Sequence, residues 1–137
     1  MGTWSTEVFG NDTACDWLYG LSEHDDLGFI DETLDRVFDE EDYIDASVGM
    51  EALGACEVLA QLLGRKPHED NQDEDLDAWI EKHKWIVSDE LLKKSQKVLH
   101  LILGEQSELR ELWEESNLYN QWKESVIRLK EDLSRPS

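Results

Sequence analysis

ASVGMEALGACEVLAQLL, residues 46–63, decides the fold. Met50, Leu53, Ala60 and Leu63 recur at helical spacing, while Gly49, Ala52, Gly54, Ala55 and Cys56 place small side chains along the same helix. A glycine inside a helix costs roughly 0.5–1 kcal/mol relative to alanine. Two glycines in one helix therefore need compensation, and close approach of a neighbouring helix supplies it.

Outward from this segment the helical period continues in both directions. On the N-terminal side, Leu27, Ile30, Leu34, Val37 and Phe38 make the apolar stripe of a second helix whose opposite face is almost wholly acidic. Before it, Ala14, Trp17, Leu18 and Leu21 share one face of a first helix. That helix begins near Asn11 to Thr13, where three good N-cap types occur together and Asp16 complements the helix N-terminus; Gly20 and Ser22 end it. On the C-terminal side, Gly64 and Pro67 form a stop, and His68 to Asp75 is a polar connector with no apolar anchor, expected as a mobile loop. Leu76, Trp79, Ile80 and His83 then recur at i, i+3, i+4, i+7. Ser88 caps a helix carrying Leu91, Leu92, Val98, Leu99 and Ile102 that Gly104 ends. Leu109, Leu112 and Trp113 mark a further helix, and the last runs from near Leu118 through Trp122, Val126, Leu129 and Leu133. The i,i+4 pairs Asp89 with Lys93, Glu90 with Lys94 and Glu124 with Arg128 support the C-terminal helices.

No segment alternates with the period of a strand. The expectation is an all-α, single-domain multi-helix bundle over residues 1–133, with 134–137 frayed. Met1 to Gly10 has no helical period and reads as an extended hook pressing Trp4 and Phe9 onto the helices. At 137 residues the chain buries enough surface to fold without a disulfide or metal. Cys15 and Cys56 are too few for a disulfide framework and read as reduced thiols on helix faces.

Charge divides the chain. Of a net charge of −20, −19 lies in residues 1–77, where 22 Asp and Glu face three basic residues; residues 78–137 are near neutral, with 11 against 10. Such a field repels nucleic acid and anionic membrane surfaces and attracts basic proteins. No basic-then-apolar leader and no apolar run of about 20 residues occurs, so a cytoplasmic protein is expected. Asn11-Asp12-Thr13 fits a glycosylation sequon, a chance match in that setting.

The opening MGTWSTEVFGNDTACDWLYGL resembles a family catalogued as domain of unknown function 4259, whose members begin M-G-x-W and continue F-x-N-D-x-A-x-D-W. Met1, Gly2, Trp4, Phe9, Asn11, Asp12, Ala14, Asp16 and Trp17 carry the resemblance over about the first twenty residues. It implies a bacterial, cytoplasmic protein and assigns no activity, cofactor or partner. In physical terms Asn11 and Asp12 cap the first helix, Asp16 and Trp17 lie in its early turns, and Trp4 and Phe9 staple its entrance.

Chemical motifs are scarce. Asp31, Asp35 and Asp39 stack at i, i+4, i+8, with Asp42 and Asp45 following, and their mutual repulsion offers a place for Ca²⁺ or Mg²⁺. A solvated acidic face is the stronger reading. A calcium loop counted from Asp73 fails, because Ala78 replaces the turn glycine and Lys84 the bidentate acid. His24, His68, His83 and His100 have no zinc spacing, and His83 reads as a hydrogen-bonded boundary residue. No nucleophile motif, phosphate-binding glycine loop or cofactor signature occurs. Trp17, Trp79, Trp113 and Trp122 read as core; Trp85, in KHKWIV, is either core or an interface anchor.

Three functions compete. The first is an interaction module that binds a basic partner through Asp31, Asp35, Asp39, Asp42 and Asp45, with the Glu69 to Asp77 loop, in the manner of an immunity protein or nuclease inhibitor. The second is a divalent-metal-dependent binding module or enzyme on the Asp31, Asp35, Asp39 face. The third is a homo-oligomer docked through the near-neutral half. The acidic face from Asp25 to Asp45, relieved by Arg36 alone, is the segment without a local explanation, and a non-enzymatic binding protein is the expectation.

Overall fold

The computed structural model describes residues 12–21, 23–24, 27–40, 42–63, 74–83 and 87–134. They form seven helices: α1 (Asp12–Leu21), α2 (Gly28–Asp39), α3 (Ala46–Leu62), α4 (Glu74–His83), α5 (Asp89–Ile102), α6 (Glu108–Glu114) and α7 (Tyr119–Ser134). Among the described residues there is no strand, only an isolated parallel bridge between Ile44 and Ser107. The architecture is all-α, and each helix anticipated from hydrophobic spacing is present; α4 opens at Glu74, so Glu74 and Asp75, read as the end of the polar connector, are helical.

The segment that decided the fold is its axle. All six other helices pack against α3. Gly49 and the whole run from Ala52 to Leu62 are buried, so α3 is covered on every side rather than along one stripe. Its small side chains are what permit this: a Cβ placed on Gly49 would lie 3.3 Å from Leu109 Cδ2 of α6. Encirclement also buries two polar residues, Glu57 and Gln61, which the apolar pattern did not mark, and Gln61 Nε2 donates to Glu57 Oε2 at 2.8 Å. Met50, in the second turn of α3, and Leu63, at its C-cap, are expected as core and are half-buried.

The tryptophans fix the periphery to this axle. Trp17, Trp79, Trp113 and Trp122 are all buried. Trp17 Nε1 donates to Thr33 Oγ1 at 2.7 Å, and Thr33 donates in turn to the Phe29 carbonyl, so α1 is tied to α2 through a satisfied polar link. At the same junction Gly20 leaves room for the Phe29 ring, whose Cζ would sit 3.0 Å from a Cβ there. Trp79 Nε1 donates to the His24 carbonyl, joining α4 to the α1–α2 connection. Trp113 and Trp122 stack between α6 and α7 at 6.1 Å.

His83 is buried, not at a boundary: it stacks on Trp79, and its Nδ1 lies 2.8 Å from the Trp79 carbonyl. Cys56 is a buried free thiol whose pKa is pushed up by burial and further by the neighbouring Glu57 carboxylate, so it is chemically quiet. No helix among the described residues is long and apolar enough to cross a membrane. The N-terminal hook, Trp4, Phe9, Asn11, Trp85, residues 68–73 of the connector and residues 135–137 lie outside the described residues, as do the side chains of Asp12, Ala14, Cys15, Leu18 and Leu76.

Candidate functional site

The acidic face of α2 divides into a braced part and an open part. Lys94, on α5, places Nζ 2.5 Å from Asp31 Oδ1 and 2.8 Å from Asp35 Oδ1. The expectation of an Asp25 to Asp45 face relieved by Arg36 alone is therefore corrected. Lys94 comes from 59 residues further along the chain, beyond the reach of local spacing, and it turns to α2 rather than to Glu90 on its own helix. The two carboxylates hold the Lys94 ammonium charged, its pKa raised chiefly by the hydrogen bonds to Asp31 and then Asp35, against a smaller desolvation cost. Arg36, for its part, pairs with Glu51 of α3 at 2.9 Å rather than with the α2 carboxylates.

Lys94 thus supplies at Asp31 and Asp35 the positive charge that a metal ion would otherwise supply. Among the described residues no group of three or more His, Cys, Asp or Glu is placed to hold a metal ion. Asp39 stands beyond this brace at the C-terminal end of α2, exposed.

The open part is the turn from α2 into α3 and the start of α6 behind it. Two backbone hydrogen bonds lock them together: Ile44 N–H donates to the Gln106 carbonyl at 2.7 Å, and Glu108 N–H to the Ile44 carbonyl at 2.9 Å. Asp45 occupies the N-cap position of α3 but makes no side-chain cap bond. Glu108 performs that function from α6, its Oε1 accepting from Ala46 N–H at 2.8 Å. Glu40 Oε1 accepts from Asp45 N–H, and Glu111 Oε1 accepts from the Tyr43 hydroxyl at 2.5 Å. α6 is itself capped by the buried Ser107, whose Oγ accepts from Arg110 N–H.

This junction sorts the carboxylates. Glu40, Glu108 and Glu111 have structural partners, while Asp39, Asp42 and Asp45 are exposed, and no described cation lies within ion-pair distance of them. The concentration of negative charge registers on Tyr43. Its phenol is pushed up to about 12, first by the hydrogen bond to Glu111, then by desolvation and by the charges of Glu111, Glu108 and Asp45.

Of the five aspartates anticipated as a partner surface, Asp39, Asp42 and Asp45 are exposed at the end of α2 and along the turn that follows it, whereas Asp31 and Asp35 are engaged by Lys94. Tyr43, Glu108 and Glu111 were missed. Glu108 and Glu111 sit in the half of the chain that is neutral on average, and only the bridge at Ile44 brings them to α2. Of the signature residues, Trp17 is core, Asp16 is exposed on α1 and Asp12 opens that helix.

Among curated proteins and among solved structures, none matches this chain. One family does, over residues 2–125, a span that reaches from the N-terminal signature through the α2–α3 turn and into α7. The chain belongs to the family described as domain of unknown function DUF4259.

Proposed function

We propose that this protein is a protein–protein interaction module whose acidic rim, centred on Asp39, Asp42 and Asp45, binds a basic partner. The observation that carries this reading is the sorting of charge at the α2–α3 turn: three exposed carboxylates without a described counter-ion, set on a junction fixed by backbone hydrogen bonds. A rigid acidic surface raises association rate and discriminates partners by charge, while affinity comes from a few anchors. An inhibitor- or immunity-type protein that covers a cationic active site in the bacterial cytoplasm is the concrete form we favour. Asp31 and Asp35 sit at the edge of this surface, with Lys94 tempering them.

Affinity capture from the source cell, quantified by mass spectrometry, tests this reading with the wild type and the Asp39→Asn/Asp42→Asn/Asp45→Asn variant side by side. A basic protein should be retained by the wild type at low salt. It should be lost at about 0.5 M salt, where the Debye length is only a few Å, and lost with the variant. Equal recovery on both baits, or none on either, would count against the rim.

A further inference from the structure

We draw no further inference here: the strongest candidate, the exposed surface patch of Lys123, Ile127 and Arg128 on α7, carries nothing because nothing in the structure shows what covers it.

Discussion

At the scale of single residues the buried polar links carry the most testable energetics. Thr33 accepts from Trp17 Nε1 and donates to the Phe29 carbonyl in a site 1% exposed, so Thr33→Val removes an acceptor while keeping the shape. The orphaned indole N–H should cost about 1–3 kcal/mol in urea unfolding, with an unchanged m-value. An unchanged midpoint would mean that Trp17 finds another acceptor. Tyr43 makes a prediction of a different kind. Its phenol is raised in the folded state from the ordinary 10.0 to about 12, so its protonated form is favoured by folding. That contribution is complete below about pH 10 and is lost as pH rises towards about 12. The 295 nm titration of wild type minus Tyr43→Phe should therefore show its step near 12 while circular dichroism still reports folded protein; a step near 10 would show that Glu111 does not hold the hydroxyl.

At the scale of elements, most of the architecture was legible because each helix carries its own apolar period and several carry their own caps. Ser88 was readable as an N-cap and does accept from Leu91 N–H. What was not legible was anything made by two distant segments. The cap of α3 is the clearest case: Asp45 stands where sequence would put the capping oxygen, yet Glu108 supplies it from α6. Nothing near Ala46 in the chain signals that choice, because the approach of α6 is set by packing on Gly49. The same holds for Lys94, which has a well-placed partner at Glu90 and pairs with α2 instead. Encirclement of α3 likewise explains why Glu57 and Gln61 escaped notice, since an apolar-face reading of that helix sends them to solvent. Glu108→Ala should destabilise the fold by about 0.5–2 kcal/mol in thermal or chemical unfolding, and Glu108→Gln, which keeps an acceptor, should recover most of it. If the two variants are equally stable, the cap across elements is not what orders the start of α3.

At the scale of the whole molecule, the uneven charge of the chain becomes a geometric asymmetry. Part of the negative charge is neutralised internally, by Lys94 at Asp31 and Asp35 and by Arg36 at Glu51. Around the α2–α3 turn the exposed Asp39, Asp42 and Asp45 are joined by Glu108 and Glu111 from the other half of the sequence, so the acidic surface there does not follow the division of the chain at residue 77. Exposed charges of this kind contribute little to stability. The Asp39→Asn/Asp42→Asn/Asp45→Asn variant should accordingly melt at or slightly above the wild-type temperature, through reduced self-repulsion. The measurement that bears most directly on the acidic rim is the affinity of the captured basic partner as a function of salt, for the wild type and this variant. The rim predicts a steep loss of wild-type affinity with rising salt and a weaker, flatter dependence for the variant; identical curves would contradict it.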